Sequence, residues 1–144
     1  SVGLEHGNFD FRNKILLRKP TNEKLLHHLD LIANSGVAFS INTIIGFPEE
    51  TREMVFETIE FCRKLKSFDA LTVSIFTPYH GTPMRSMCVD AGFIDEDLIV
   101  EMRSDDQGSF LDMPPPYMSK KDIQYMFNNF VRLFRERERA MISS

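Results

Sequence analysis

The stretch Ser40-Ile41-Asn42-Thr43-Ile44-Ile45-Gly46-Phe47-Pro48-Glu49-Glu50-Thr51 decides how the chain is read. An apolar, β-branched run stops at Gly46, passes through Pro48, and meets two acids and a threonine ahead of a helical pattern. This is the order strand, tight turn, helix start. Parallel α/β proteins bind ligands at such carboxyl ends of strands. The turn is therefore the candidate centre of function.

Working outward, the same alternation continues on both sides. Upstream, Thr21 is a good N-cap, and Leu25, Leu26, Leu29, Ile32 and Ala33 follow at helical spacing until Ser35-Gly36 closes the helix. Residues 37–45 form the strand that the turn ends. Apolar residues occur on both of its faces, as a parallel strand covered on both sides requires. Downstream, 51–66 is a helix with Met54, Val55, Thr58, Ile59, Cys62 and Leu65 on one side. Residues 70–76 are the next strand, followed by the turn-rich loop Thr77-Pro78-Tyr79-His80-Gly81-Thr82-Pro83 and a short helix over 84–91 stopped by Gly92. At the other end, residues 1–5 read as a truncated strand. Phe11, Ile15 and Leu16 suit a short helix that Arg18-Lys19-Pro20 terminates.

Strand, helix, strand, helix, strand at these spacings implies parallel pairing through crossovers. Three strands do not close a barrel, so the pattern is that of half a larger α/β array. The opening inside a strand points the same way, to a piece of a longer protein. Beyond Gly92 the pattern is less regular. Residues 95–102 suit a turn or two of helix, 103–113 are irregular or extended, and Pro114-Pro115-Pro116 is a stiff spacer. Ser119 with Asp122 makes an approximate capping box for a last helix carrying Ile123, Phe127, Phe130 and Phe134 on one face. Arg135-Glu136-Arg137-Glu138-Arg139 is its solvated, self-pairing end.

Composition narrows the function classes. The 144 residues suffice for one domain with a real core, and 42% hydrophobic with 26% charged content is ordinary for a globular chain. A formal charge of −4 supplies no basic field for nucleic acid. No run approaches a membrane span. The two cysteines, Cys62 and Cys88, match no zinc or iron–sulfur spacing and make no disulfide framework, which favours a reducing, cytoplasmic setting. Thirteen phenylalanines and eight methionines with no tryptophan make an adaptable interior.

Each candidate site residue has a plain structural reading beside the functional one. Gly46 permits a sharp turn or a close backbone approach to a ligand. Ile44 and Ile45 offer an apolar wall. Glu49, Glu50 and Thr51 stand at a helix start, where acids complement the dipole and threonine caps. Glu5, at the carboxyl end of the first strand, could accept hydrogen bonds from ribose hydroxyls, although a lone acid is more often simply solvated. The loop at Thr77 could hold the edge of a heterocycle and equally be only a loop. Arg18 and Lys19 could hold a carboxylate or phosphate, or merely end a helix. His80 reads as an ordinary loop histidine, His27-His28 does not suit a metal, and Cys62 falls on a packed face. Three strand ends with ligand-competent residues on one rim weigh more than any of these alone.

Taken in order, the segments resemble the second half of the radical S-adenosylmethionine enzyme core. Val2-Gly3-Leu4-Glu5-His6-Gly7 looks like its fourth-strand segment. Asn42-Thr43-Ile44-Ile45-Gly46-Phe47-Pro48-Glu49 resembles its fifth-strand motif GxIxGxxE, with Ile44, Gly46 and Glu49 matching and Asn42 in place of the first glycine. The run Gly46 to Thr51 is close to the GFPGET form of the cobalamin-associated and methylthiotransferase-like branches. The Thr77 to Pro83 loop resembles their sixth-strand P-x-x-G-T-P. The resemblance implies an α/β fold, the C-terminal half of a partial (β/α)6 barrel with parallel strands, over residues 1–92. A variable, helical C-terminal extension follows over 93–144. It further implies S-adenosylmethionine and a 4Fe–4S cluster as cofactors of the intact parent, with cobalamin as a further cofactor of that branch. The cofactor-binding set implied is Glu5 on ribose, Ile44 and Ile45 on adenine, Asn42, Gly46 and Glu49 at the turn, Phe76, Thr77 and Pro78 presenting backbone to the base, and Arg18 for the methionine carboxylate.

The cluster motif CxxxCxxC is absent from the chain. In the family it belongs near the first strand, so the expectation is a fragment that contributes the nucleoside side of the site and does not turn over alone. Its substrate is open, and an exposed sheet edge would let the fragment self-associate. Two other classes stand beside this reading: a non-catalytic α/β interaction domain, and half of an ordinary (β/α)8 enzyme, which would call for a glycine-rich phosphate loop that the sequence lacks.

Overall fold

The structure, a computed structural model, describes the backbone of residues 1–101 and 108–142, with side chains to residue 136. Its elements are β1 (Val2–Glu5), α1 (Phe9–Lys14), α2 (Asn22–Asn34), β2 (Ser40–Ile45), α3 (Arg52–Arg63), β3 (Ala70–Ile75), α4 (Pro83–Asp90) and α5 (Lys120–Ile142). The three strands form one parallel sheet in the order β1-β2-β3. The chain is thus α/β, with helices bridging parallel strands. Most helix starts lie where the sequence puts them. The side chains of Thr21, Thr51 and Thr82 accept the N–H three residues on and open α2, α3 and α4. Ser119 and Asp122 cap α5 reciprocally: Ser119 N–H donates to the Asp122 carboxylate at 3.1 Å and Asp122 N–H to Ser119 Oγ at 3.2 Å. Those bonds, with Arg52 nearby, hold the Asp122 carboxyl below its ordinary pKa.

β2 is shorter than the sequence pattern proposes, beginning at Ser40. The expectation that both of its faces are covered fails. Ile41, Thr43 and Ile45 are buried, beside Leu71, Val73 and Ile75 of β3. On the other face Asn42 and Ile44 are only half-buried, and their β3 neighbours Thr72 and Ser74 are exposed. That face is the more open of the two, and its polar side chains pair with each other: Thr72 Oγ1 donates to Asn42 Oδ1 at 2.5 Å.

The covered face carries two linked cores. Leu4, Leu29, Phe39, Ile41, Phe61, Cys62 and Leu65 pack α2 and α3 onto β1 and β2. Ile45, Phe47, Val55, Ile59, Ile75, Ile123, Met126 and Phe130 form the heart of the second, with α5 laid against α3 and β3. The segment after Gly92 therefore shares a core with the sheet. Of the expected turn of helix over 95–102 and the irregular run over 103–113, residues 102–107 lie outside the described set, as do the side chains of Arg137 to Arg139.

Both cysteines are free and buried. Burial pushes the Cys62 thiol up to about 12 and the Cys88 thiol to about 11, from an ordinary 9.0. Each proton is held more tightly folded than unfolded. Their stabilising contribution is thus complete below pH 9 and is lost as pH climbs toward those values. At neutral pH a thiol reagent should label neither cysteine until denaturant unfolds the chain. Rapid labelling of the native protein would contradict the burial described.

Candidate functional site

The carboxyl ends of β1 and β3 and the segment before α2 enclose a cleft of about 690 Å³. Its geometry starts with the backbone. Pairing of β1 with β2 shifts register between Gly3 and Glu5, and Glu5 adopts φ 68°. This left-handed bulge folds the Glu5 carboxylate back along its own strand. A Cβ on Gly3 would lie 2.6 Å from Glu5 Oε1, so the glycine is what leaves room for the acid. Arg18 crosses the mouth: Nη1 donates to the Gly3 carbonyl at 3.1 Å, and Nη2 lies 3.6 Å from Glu5 Oε1. The pair is partly exposed, so it orients the groups more than it stabilises the fold.

Ile15, Leu16, Leu17 and Arg18 make one wall of the cleft, Ile44 and Phe47 lie at the β2 end, and Phe76, Thr77, Tyr79 and Met84 face them from the β3 side. Beneath runs a line of rings. His6 stacks on Phe11 (centroids 4.4 Å apart), Phe11 meets Phe47 at 5.7 Å, and Phe47 meets Phe76 at 5.4 Å. These contacts tie all three strand ends into one rigid floor. An apolar slot with one carboxylate and one guanidinium at its mouth suits a flat heterocycle carrying hydroxyls.

The turn after β2 is built by buried polar groups. Gly46 has φ 80°, open to glycine at no steric cost, and donates its N–H to Glu50 Oε1 at 2.6 Å. The other Glu50 oxygen meets His6 Nε2 at 2.5 Å, with both side chains fully buried. Glu49 stands beside it at φ 65°.

Glu5, Arg18, Ile44, Phe76 and Thr77 thus line one cleft. Asn42 lies two residues below Ile44 on the same open face, tied to Thr72 and to Ser1 Oγ. The remaining expected residues are placed otherwise. Ile45 cannot share a wall with Ile44: consecutive strand residues point to opposite faces, and Ile45 is fully buried in the core. Gly46 is buried against Ile123. Pro78 is buried, and its carbonyl accepts from Arg85 Nη1 at 3.0 Å instead of facing the cleft. Glu49 does not line the cleft, and Glu50 is the acid that shapes the turn. The signal for this was available. In the GFPGET form the fourth position is glycine, which fits the left-handed backbone at Glu49, and the acid falls on Glu50. His6 was not singled out by sequence reasoning, because its partner is 44 residues away. His80 is a loop residue whose Nε2 accepts from Val100 N–H at 3.2 Å.

No protein-family model matches the chain. Known proteins do. The chain is 37% identical over 76 residues to a tRNA-2-methylthio-N(6)-dimethylallyladenosine synthase of Anoxybacillus flavithermus, covering 51% of this chain and 14% of that protein. It is 31% identical over 86 residues to the enzyme of the same name from Halalkalibacterium halodurans, covering 58% and 16%. With that of Thermotoga petrophila it shares 38% over 71 residues, covering 48% and 16%. The match spans about one sixth of the length of these curated relatives. Over about half of its length, the chain is thus similar to tRNA-2-methylthio-N(6)-dimethylallyladenosine synthases.

Proposed function

We propose that this chain contributes the nucleoside-binding side of a radical S-adenosylmethionine methylthiotransferase-like enzyme. The observation that carries this reading is the single cleft uniting Glu5, Arg18, Ile44, Phe76 and Thr77 at the carboxyl ends of parallel strands. Glu5 accepts ribose hydroxyls, Ile44 packs on the adenine face, and the backbone at Phe76 and Thr77 meets its edge. Arg18 holds the methionine carboxylate. The open, polar sheet face is read as the lumen of a partial barrel, with residues 1–92 as its second half and 93–144 as the extension, whose helix packs on the covered side.

The residues present fit the nucleoside and do not fit the iron–sulfur cluster. Two buried cysteines cannot provide CxxxCxxC, and among the described residues no group of three His, Cys, Asp or Glu is placed to hold a metal. The reading is therefore of a chain that binds the cofactor's nucleoside but by itself performs no turnover. Bound beside a reduced cluster, S-adenosylmethionine supplies radical chemistry. This chain's part is to orient the nucleoside and keep water off its apolar face. Cobalamin has no support among these relatives. Their printed names point to a tRNA adenosine derivative as the substrate of the intact protein. The acidic balance of this chain does not weigh against that, since it matches only one sixth of them. Among the described residues no helix is long and apolar enough to cross a membrane. With two free thiols, a cytoplasmic setting is the one inferred.

Titration of the 144-residue protein with 5′-deoxyadenosine, followed by amide NMR, tests the reading. The expected shifts centre on Glu5, Ile44, Phe76 and Thr77. Glu5→Gln should weaken binding about tenfold, as expected for one lost charge-assisted hydrogen bond. Absence of binding, or shifts clustered on the outer face of α3, would overturn it.

A further inference from the structure

We infer that His6 and Glu50 are a positioning pair that fixes the acid side of the cleft against its apolar side. The consequence for binding rests on the nucleoside reading above, whereas the geometry does not. Neither residue lines the cleft. His6 directly follows Glu5, and Glu50 closes the turn that follows Ile44. Strand pairing between β1 and β2 ends at Glu5 and Thr43. Beyond that point the bond between His6 Nε2 and Glu50 Oε2, at 2.5 Å, joins the two strand exits.

The hydrogen positions in this network follow from its backbone donors. Asn8 N–H donates to His6 Nδ1 at 3.0 Å, so that nitrogen carries no hydrogen. The ring proton is therefore on Nε2 and points at Glu50. Gly46 N–H donates to the other Glu50 oxygen at 2.6 Å. Glu50 thus faces two donors at once, and both of its oxygens must accept. A carboxylate does this. A glutamine of the same shape cannot, because whichever way its amide turns, the NH2 meets an N–H. With both side chains fully buried, water cannot relieve that conflict. A purely space-filling role would tolerate glutamine, so the network specifies an anion here.

His6→Gln keeps the pattern, with an amide donor toward Glu50 and a carbonyl toward Asn8. His6→Leu removes both. The test compares wild type, Glu50→Gln, His6→Leu and His6→Gln as the whole 144-residue protein, at a temperature where each is folded by circular dichroism. In wild type the ring 15N shifts of His6 should report the Nε2–H tautomer, and the Gly46 amide should be strongly deshielded and slow to exchange. In Glu50→Gln and His6→Leu the resonances of Glu5 and Ile44 should move, and 5′-deoxyadenosine should bind about tenfold more weakly. His6→Gln should stay within about threefold of wild type. If Glu50→Gln fails to fold, the His6→Leu and His6→Gln pair carries the comparison. Folded variants that bind as tightly as wild type overturn the positioning role, as does the Nδ1–H tautomer. If wild type does not bind the nucleoside, the functional reading falls. The pair is then judged on the His6 tautomer and on whether Glu5 and Ile44 move together, and unchanged resonances in Glu50→Gln would overturn it.

Discussion

Gly7→Ala should lower the free energy of unfolding by about 3 kcal/mol, measured by urea denaturation. Gly7 is where the exit of β1 touches α3. Its N–H donates to Thr58 Oγ1 at 3.0 Å, and its carbonyl accepts from Asn22 Nδ2 at 3.0 Å. A Cβ there would lie 2.6 Å from Thr58 Cα, 2.9 Å from Phe61 Cβ and 3.0 Å from the Glu57 carbonyl oxygen. Two of these atoms are backbone, so no side-chain rotation relieves the clash. Either α3 moves as a body or the β1 exit lifts and its two hydrogen bonds break. Thr58→Ser keeps the acceptor and loses only a methyl group, so it should cost about 1 kcal/mol. The order of the two variants is the test. Alanine at position 7 with wild-type stability would mean that β1 and α3 do not approach as described. Because Glu5 lies two residues upstream, Gly7→Ala should also disturb the cleft.

What was legible in the sequence is what local chemistry decides. Thr21, Thr51 and Ser119 cap helices because a side-chain oxygen and a free N–H meet within three residues. Gly36 and Gly92 follow helix ends with positive φ, as their freedom allows. The three strand ends on one rim were legible from the βα order. Three matters were not. Residues 37–39 have strand-like composition, yet Val37 is largely exposed and no strand of the sheet runs beside it, so β2 starts later. The run Ile44-Ile45 shows no alternation, so composition could not say which residue faces the cleft. Adjacent acids at 49 and 50 look alike in composition; the GFPGET pattern separates them, and the backbone gives the physical reason. At φ 65° Glu49 turns away, while Glu50 is directed inward to Gly46 and His6. His6 and Gly7 read as loop residues because their partners lie 44 and 51 residues away, and Arg12 reads as a helix residue because its acceptors are two carbonyls and an amide oxygen that carry no sequence signal.

Arg12→Met is expected to cost about 3–4 kcal/mol and to loosen the cleft wall with it. Arg12 is a fully buried cation whose described hydrogen-bond partners are all neutral. Nη1 donates to the His6 carbonyl at 2.9 Å, and Nη2 to the Pro20 carbonyl at 2.8 Å and Asn22 Oδ1 at 2.7 Å. Its Nε is without a partner among the described residues. Burial lowers its pKa, and the nearby Arg18 adds to the effect. The guanidinium therefore gains from geometry more than from charge: one planar group ties the exit of β1 to Pro20, just ahead of the α2 cap, and to the first residue of α2. Methionine fills similar space, leaves the buried His6 carbonyl dry and removes the donor from the less buried Pro20 and Asn22 acceptors. Lysine supplies donors from a single point and cannot span all three, so Arg12→Lys should recover only part of the loss. The residues between Arg12 and Pro20 include Ile15, Leu16, Leu17 and Arg18, the wall of the cleft. Without Arg12 the wall keeps its link through Arg18 to the Gly3 carbonyl, a half-exposed contact. Arg18→Met should accordingly leave stability within about 1 kcal/mol of wild type while weakening any ligand that needs a cation at the mouth. Denaturation curves and nucleoside titrations on the two variants separate the roles. An Arg12→Met protein within about 1 kcal/mol of wild type would refute the clamp.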